Sequence, residues 1–228
     1  MTGLADGFAR VGELLPLLAQ GALVTIKITA MSVIAVIAVS FLVGIARLSK
    51  LRAIRTMAVV FLEIFRGTSL LVQLFFFYFI LPLYDIYLSA EMTAVLGIGL
   101  NLGAYGSEIV RSAITNIGKG QIEAARSLSL PRWITFSRVI LPQAMMIMLP
   151  SFGNLAIETA KATALVSLIT ITDVTQTGHN LINATGETSL VWLVILIIYL
   201  VINTPLNLLV SWAEKRAGRF KQGGSRGV

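Results

Sequence analysis

The sequence predicts an all-α integral membrane protein with about five transmembrane helices. Of the 228 residues, 56% are hydrophobic and 13% are charged, and the mean hydropathy is +0.85. A chain this apolar has too little polar surface to coat a soluble domain. Its lysines and arginines cluster between the apolar stretches, as they do in membrane proteins with several spans. These observations place the chain in a bilayer and leave no room for a second globular domain.

The predicted spans are apolar windows long enough to cross a hydrocarbon core of ~30 Å, which takes roughly 20 helical residues. Charges interrupt the second and the fourth window. The windows are Gly21–Ala46, Met57–Leu81, Met92–Arg111, Met145–Ile169 and Ser189–Trp212. The transmembrane domain is therefore predicted over residues 21–216. An external N-terminal segment, residues 1–20, precedes it, and a cytoplasmic tail, residues 217–228, follows it. The Gly-rich, basic end of this tail, Lys221–Val228, is expected to be disordered.

The distribution of basic residues predicts the orientation of these spans. Basic residues occupy the first connection, the third connection and the segment after the last span: Arg47, Lys50, Arg52, Arg55, Lys119, Arg126, Arg132, Arg138, Lys215, Arg216, Arg219, Lys221 and Arg226. The other connections carry acidic residues without lysine or arginine: Asp85, Glu91, Asp173 and Glu187. Since basic loops stay in the cytoplasm, we expect the N-terminus outside and the C-terminus inside.

Several functional classes are excluded by what the chain lacks. It has no cysteine, and His179 is its single histidine, so a thiolate or multi-histidine metal site is not expected within it. No phosphate-binding loop motif occurs in the sequence, so ATP hydrolysis is expected on another chain. The net charge of +7 is explained by residues that flank the spans. We therefore expect no nucleic-acid partner, no metal and no catalytic site.

A polar, basic insert separates the third and fourth apolar windows. After Gly118-Lys-Gly120, the run Gln121-Ile-Glu-Ala-Ala-Arg-Ser-Leu128 contains good helix formers, with Ile122, Ala125 and Leu128 near one face. Such a short amphipathic helix fits the groove of a partner protein, with Glu123 and Arg126 at the rim. It equally fits an interfacial helix that lies on lipid beside Trp133. Spacing alone leaves both interpretations open.

Four motifs together resemble the permease subunits of ABC importers for polar amino acids. The insert, which continues to Val139-Ile-Leu-Pro-Gln143, is similar to their EAA loop, here residues 118–143. The other three are Glu63-Ile-Phe-Arg-Gly-Thr-Ser-Leu-Leu-Val-Gln-Leu-Phe75, Ala104-Tyr-Gly-Ser-Glu-Ile-Val-Arg-Ser-Ala113 and Lys161-Ala-Thr-Ala-Leu-Val-Ser167. They occur in the family's order, and the resemblance covers most of the chain, from about Gly21 to Arg216.

The resemblance implies a type I importer subunit of the bacterial inner membrane, embedded in lipid. Its implied partners are ATP-binding subunits, an extracytoplasmic solute-binding protein and a second permease copy or a paralogue. ATP and Mg would be bound by the ATP-binding subunits, with no cofactor on this chain. Glu123–Ser129 would form the coupling helix that contacts the ATPase. The implied coupling residues are Gln121, Glu123, Ala124, Ala125, Arg126 and Ser129.

The sequence departs from the family pattern at two positions. Ser129 stands where the family usually has glycine, so easy access to a positive φ is lost and the geometry of that loop is in question. Ala164 stands where serine is common, which bears on the choice of solute. An amino acid is the expected solute, and a compatible solute such as ectoine is the alternative.

Charged and polar residues within the windows are candidates for the substrate pathway. Three pairs have i, i+3 spacing, which makes the side chains neighbours on a helix: Glu63 with Arg66, Glu108 with Arg111, and Glu158 with Lys161. Each pair is either a structural ion pair or part of a polar seam along the solute path. Further hydrogen-bonding candidates are Gln73, Asn101, Tyr105, Thr163 and Ser167. The glycines Gly97, Gly99, Gly103 and Gly106 are expected to serve close helix packing before gating.

Two hypotheses from other classes remain open at this stage. One is a membrane scaffold that recruits a cytoplasmic partner without transporting anything, although a scaffold has little use for charge pairs within its spans. The other is an ion-coupled secondary transporter, which would need a site for the driving ion and normally more spans.

Overall fold

The structure is a computed structural model that describes the backbone of residues 2–223 and the side chains of residues 15–212. Over this part of the chain the regular secondary structure is helical and no strand occurs, so the all-α prediction is confirmed. The α-helices are α1 (Thr2–Ala46), α2 (Arg52–Gly67), α3 (Leu70–Phe75), α4 (Ala90–Thr115), α5 (Lys119–Ser127), α6 (Arg132–Ile134), α7 (Leu141–Ala162), α8 (Val174–Thr185) and α9 (Thr188–Gly223).

Tighter and wider helical turns extend some of these elements. A π-helical segment, Phe76–Ile80, and a 3-10 segment, Leu81–Tyr84, follow α3. A second π-helical segment, Thr135–Ile140, joins α6 to α7. The 3-10 segment Thr163–Ile169 follows α7. Such departures from α geometry are often found where a helix meets a functional constraint.

Within the described residues, three helical stretches are long and apolar enough to cross a membrane. They are Leu15–Ala46, Arg132–Ile169 and Thr188–Trp212, and they correspond to the first, fourth and fifth predicted spans. The pair formed by α2 and the stretch Leu70–Tyr84 counts as a fourth if it is one broken span. Helix α4, which contains the third predicted span, does not qualify, because polar and glycine residues dilute its hydropathy.

The second predicted span, Met57–Leu81, is not one straight helix, since the pair Arg52–Gly67 and Leu70–Tyr84 is bent by 102°. Helix α2 ends at Gly67, and the next helix begins at Leu70. Glycine has a low helix propensity, and serine and threonine compete with the helix for backbone hydrogen bonds. The intervening Thr68 and Ser69 therefore interrupt a stretch whose apolar composition continues on both sides.

The chain divides into two compact units. Unit 1 consists of Met1–Ala35, Thr68–Gly99 and Ala156–Leu206, and unit 2 of Val36–Gly67, Leu100–Leu155 and Asn207–Val228. The core of unit 1 combines α1, α8 and α9 through Leu18, Val174, Val191, Val194 and Ile195, each at most 4% exposed. The core of unit 2 combines α4 and α7 through Val110, Ala113, Ile117, Ala144 and Met148.

Glycines allow α4 to approach its neighbours closely within each unit. A Cβ atom on Gly106 would collide with Ser40 Oγ, and one on Gly103 would lie 2.6 Å from Val39 Cβ. In unit 1, a Cβ on Gly97 would lie 2.6 Å from Leu74 Cδ2. Such contacts are too short for real side chains, which agrees with the predicted packing role of these glycines.

The C-terminal predictions fall partly outside the described residues. Helix α9 extends to Gly223, so the backbone of the first part of the predicted tail is helical. Residues 224–228, and the side chains of Lys215, Arg216, Arg219, Lys221 and Arg226, lie outside the described part of the chain.

Candidate functional site

Two oppositely charged residues of unit 1 lie near the carboxyl end of α7. Glu158 and Lys161 are both exposed, although they belong to the apolar stretch Arg132–Ile169. The predicted ion pair between them is absent among the described side chains. Because both groups are exposed, neither needs the other for burial. Charges in a membrane segment are costly unless they face water or a polar partner, so this helix face is not suited to lipid.

The chain directly after Lys161 leaves the α-helical geometry. Thr163 and Ser167 lie in the 3-10 segment and are buried. Their hydroxyls donate to Ala160 O at 2.7 Å and Ala164 O at 2.8 Å. Thr170 then adopts φ 69°, a conformation that costs an L-residue about 1–2 kcal/mol and is uncommon for a β-branched one. Its Oγ1 lies 2.8 Å from Tyr78 OH, so the strained turn is held by a side-chain contact.

Gln73 lies on α3, the helix that packs against the 3-10 segment Thr163–Ile169. Its side chain is 7% exposed, and its Nε2 donates to Thr68 Oγ1 at 2.6 Å. The structure thus brings the helix of Gln73 together with the segment of Thr163 and Ser167. These residues, with Glu158 and Lys161, are the five predicted pathway residues that belong to unit 1.

The other five predicted pathway residues belong to unit 2, where α2 meets α4. The Arg66 guanidinium lies over the Tyr105 ring at 5.0 Å, and its Nη1 lies 3.9 Å from Glu108 Oε1. Asn101 Nδ2 donates to Phe65 O at 2.9 Å. Four of the five, Arg66, Asn101, Tyr105 and Glu108, therefore take part in the contact between the two helices.

Glu63 does not join this contact. The predicted Glu63–Arg66 ion pair does not form among the described side chains, and Glu63 is exposed. Arg66 contacts the Tyr105 ring and the Glu108 carboxylate on α4 instead of Glu63 on its own helix. The i, i+3 spacing showed that the local pair was within reach, but a long guanidinium side chain also reaches a neighbouring helix.

The predicted Glu108–Arg111 pair is confirmed, and it is part of a larger cluster. Arg111 Nε donates to Glu108 Oε2 at 3.1 Å. Arg47 Nη1 lies 2.7 Å from Glu108 Oε1, and Arg66 approaches the same oxygen. We call Arg47, Arg66, Arg111 and Glu108 the arginine cluster. The sequence placed Arg47 only among the residues that flank the first span, because nothing in its local spacing points to Glu108.

Helix α5 presents most of the predicted coupling residues on its exposed surface. Gln121, Glu123, Ala124 and Arg126 are exposed, whereas Ala125 is 3% exposed and faces the packing of α5 against Thr135–Ile140. Gln143 Nε2 donates to Gln121 Oε1 at 3.4 Å. The helix runs over Lys119–Ser127, with Gly118 as its N-cap, so it begins four residues before the predicted Glu123–Ser129 and ends two residues before it.

The end of α5 is closed by a Schellman motif. Leu130 N donates to Ala125 O at 3.0 Å, and Ser129 N donates to Arg126 O at 2.8 Å. This pattern requires a left-handed residue directly after the C-cap. Ser129 occupies that position and has φ 52°. The sequence left the geometry of this loop in question, and the structure shows that Ser129 adopts the positive φ that glycine would enter more easily.

Replacing Ser129 with glycine is expected to stabilise the protein by about 1 kcal/mol, since glycine enters the left-handed region without the Cβ penalty. The gain is measured as a rise in the thermal unfolding midpoint of the purified protein. Ser127→Gly is the matched control: it places glycine inside the same helix and should destabilise by roughly 0.5–1 kcal/mol. Equal shifts in both variants would contradict the assignment.

Asp173, which lies between the apolar stretches, is a buried carboxyl group in unit 1. It is the N-cap of α8, and its Oδ1 accepts a hydrogen bond from Gln176 N at 2.9 Å. The side chain is fully buried, and Oδ2 has no hydrogen-bond partner in the described structure. Burial raises the pKa of Asp173 above its ordinary value, against the opposing effect of hydrogen bonds from Gln176 and Thr175.

We therefore expect the stability of the protein to fall as the pH rises through Asp173's titration. The folded state binds this proton more tightly than the unfolded state, so the stabilising contribution is complete below the unfolded pKa and is lost as the pH passes the raised, folded pKa. Unfolding midpoints measured from about pH 4 upward test this. Asp173→Asn, which keeps the cap but cannot ionise, should flatten the dependence. An unchanged slope in that variant would assign the effect to another group.

One charged contact in unit 1 was missed from the sequence. Lys27 on α1 donates to both carboxylate oxygens of Glu91 on α4, at 2.7 and 2.9 Å. The available signal was a single lysine inside the first apolar window, since an intramembrane charge usually has a partner. Glu91 was interpreted only as an acidic residue of an external connection.

Several helices long and apolar enough to cross a membrane, with charged groups along their length, define the class of polytopic membrane proteins. The chain belongs to the family of binding-protein-dependent transport system inner membrane components, whose sequence pattern matches residues 36–219. It is 41% identical over 210 residues to the probable amino-acid ABC transporter permease protein y4tF of Sinorhizobium fredii, covering 90% of this chain and 88% of that one.

Two further comparisons also match amino-acid ABC transport proteins. The chain is 35% identical to the glutamine transport system permease protein GlnP of Escherichia coli over 89% of this chain and 93% of the other. The solved structure of an amino acid ABC transporter with histidines superposes with a TM-score of 0.85 at 31% identity, covering 92% of this chain and 98% of that chain.

These findings confirm the predicted family resemblance and the fold of a type I ABC permease. The chain is a permease subunit of an ABC importer. The same findings give no support to the ectoine-like or the scaffold alternative.

Proposed function

We propose that this chain passes an amino acid across the membrane. Its relatives named for amino acids and for glutamine support that substrate class. An amino acid is zwitterionic at neutral pH, and its path needs charged or hydrogen-bonding groups that lipid does not offer. The observation that carries the proposal is the pair of exposed, mutually unpaired charges Glu158 and Lys161, which lie one turn apart within an apolar stretch. Together they match the two charges of the solute.

The proposed contact residues for the solute in unit 1 are Glu158 and Lys161, with Gln73, Thr163 and Ser167 in support. Thr163 and Ser167 are proposed to act by positioning the 3-10 segment, since their hydroxyls donate to Ala160 O and Ala164 O. In unit 2, we keep the predicted residues as proposed pathway positions: Glu63, Arg66, Asn101, Tyr105 and Glu108.

The proposed complex contains ATP-binding subunits, an extracytoplasmic solute-binding protein and a second permease copy or a paralogue, all in membrane lipid. The family description, which names binding-protein-dependent transport, supports this composition. ATP hydrolysis and the Mg that it requires are assigned to the ATP-binding subunits. This chain is then a transport subunit without a cofactor of its own, and no nucleic acid is among its proposed partners.

Helix α5 is the proposed coupling element. It is short, its two ends are closed by Gly118 and by the Schellman motif, and it presents Glu123 and Arg126 to the outside. Trp133 and Leu128, which are 74% and 73% exposed, add an apolar surface next to these charges. A rigid amphipathic helix of this kind suits the groove of a partner protein, and its movement would link ATP-driven closure to the permease.

The proposed topology has five spans in the bacterial inner membrane, with the N-terminus outside and the C-terminus inside. Helix α4 is the remaining span, although it is polar, because its charged groups have partners: Glu91 pairs with Lys27, and Glu108 with three arginines. The transmembrane domain, residues 21–216, would then contain the coupling loop 118–143.

Reconstitution tests the proposed function directly. The chain is purified with its ATP-binding subunits, incorporated into liposomes with the solute-binding protein, and assayed for ATPase activity with individual amino acids and with ectoine. Stimulation by an amino acid is expected. Stimulation by ectoine alone would contradict the proposed substrate class, and purification of the chain without any ATP-binding subunit would contradict the proposed complex.

A further inference from the structure

The arginine cluster carries more positive charge than its carboxylate neutralises. Three guanidinium groups, those of Arg47, Arg66 and Arg111, surround Glu108. Three positive charges against one negative charge leave an excess of two. No other acidic side chain forms an ion pair with these arginines in the described structure. An uncompensated charge in a membrane protein is costly, so a cluster of this composition favours a bound counter-anion.

The number of N–H donors in the arginine cluster also favours a bound anion. Each guanidinium offers about five N–H donors, and a carboxylate accepts at roughly four positions. Arg111 Nε uses one acceptor position on Glu108. Arg47 has a side chain that is 11% exposed, and its Nη1 lies 2.7 Å from Glu108 Oε1. Its Nε has no hydrogen-bond partner in the described structure. A buried donor without an acceptor is unfavourable. The cluster therefore has fewer acceptor oxygen atoms than its N–H donors could use.

The open side of the cluster shows where an anion has access. Arg66 and Arg111 are 40% and 41% exposed, and Tyr105, beneath the Arg66 guanidinium, is 41% exposed. The ring covers one face of the guanidinium, so it does not occupy the in-plane N–H groups, of which Nη1 lies 3.9 Å from Glu108 Oε1. Guanidinium forks match the geometry of phosphate oxygens and bind them with two parallel hydrogen bonds.

We propose that the arginine cluster binds a phosphate group. The surplus of two positive charges and of N–H donors fits the several charged oxygens of a phosphate better than it fits a single carboxylate. The phosphate belongs either to an anionic lipid headgroup or to a free phosphate anion. The lipid source rests on the proposed topology, which places Arg47, directly after α1, at the cytoplasmic surface. The site goes beyond solute passage, and its test does not depend on transport.

The lipid source is tested by native mass spectrometry of the complex with its ATP-binding subunits. The complex is incubated with phosphatidylglycerol or phosphatidylcholine, and the bound lipid is counted. Arg66→Gln removes an exposed member of the cluster and should weaken retention of phosphatidylglycerol by roughly tenfold or more, as expected for a lost charge-assisted hydrogen bond. Arg66→Lys keeps the charge without the fork and should recover only part of the binding.

The matched control is Arg55→Gln on the same helix. Arg55 is exposed and lies outside the cluster, so its loss should leave lipid retention unchanged. The free-phosphate source is tested by the thermal unfolding midpoint in sodium phosphate and in sodium chloride of equal ionic strength, in a neutral detergent. A phosphate-specific rise that disappears in Arg66→Gln supports the site with a soluble ligand. Equal effects in the Arg55 and Arg66 variants, or no phosphate-specific effect in either assay, would overturn the proposal.

Discussion

Replacing Lys161 with alanine is expected to lower solute uptake by about tenfold or more, the effect of losing a hydrogen bond to a charged group, while the protein inserts at normal abundance. Lys161 is exposed on α7 and has no ion pair in the described structure. Its removal therefore leaves no buried charge unpaired, and the fold should tolerate it. The measurement is uptake into proteoliposomes, normalised to the amount of inserted protein.

Two variants sharpen the interpretation of the Lys161 result. Lys50→Ala removes another exposed lysine from the turn before α2 and should leave uptake unchanged. Lys161→Arg keeps the charge and should retain more uptake than alanine does. Unchanged uptake in Lys161→Ala at equal abundance would remove this residue from the solute path, and lost abundance would show a structural role instead.

Reversing the charge of Glu123 is expected to reduce recovery of the ATP-binding subunits with the permease by about tenfold or more, because like charges brought together at an interface cost several kcal/mol. Glu123 is exposed on α5, its backbone oxygen accepts a hydrogen bond from Ser127 Oγ at 3.2 Å, and its carboxylate forms no ion pair among the described side chains. Glu123→Lys therefore changes the surface of the helix without breaking a side-chain contact within the chain. Co-purification after mild detergent extraction measures the effect.

Two further variants separate docking from a general effect of charge. Asn116→Lys adds a positive charge to the turn between α4 and α5, outside helix α5, and should disturb assembly less than Glu123→Lys does. Glu123→Gln removes the charge without reversing it and should give a smaller loss than lysine. A normal complex with normal ATPase activity in Glu123→Lys would show that this residue takes no part in docking.

The sequence predicted the apolar helices well where composition alone decides the outcome. The first, fourth and fifth windows correspond to helical stretches that are long and apolar enough to span a membrane. The second window is helical on both sides of a break at Thr68 and Ser69, which a hydropathy average does not register because it contains no information about the low helix propensity of Gly67. The sequence raised the question of positive φ at Ser129, since serine stands there where glycine is usual, and the structure answers it with φ 52°.

Side-chain partners were predicted less well than helices. Spacing of i, i+3 states which residues are within reach on one helix, but it contains no information about the neighbouring helix. Glu108–Arg111 formed as expected, whereas Arg66 turned to Tyr105 and Glu108 on α4. The burial of Asp173 and the Lys27–Glu91 contact also depend on segments that are distant in sequence. No local pattern determines such pairings.

The dependence of three arginines on one carboxylate has an evolutionary consequence. A substitution at Glu108 alone would leave Arg47, Arg66 and Arg111 to repel one another, whereas loss of any single arginine leaves the carboxylate with two partners. Mutations should therefore be accepted in a fixed order, with arginines lost before the glutamate. Across related permeases, position 108 should change only in lineages where positions 47, 66 or 111 have already become neutral.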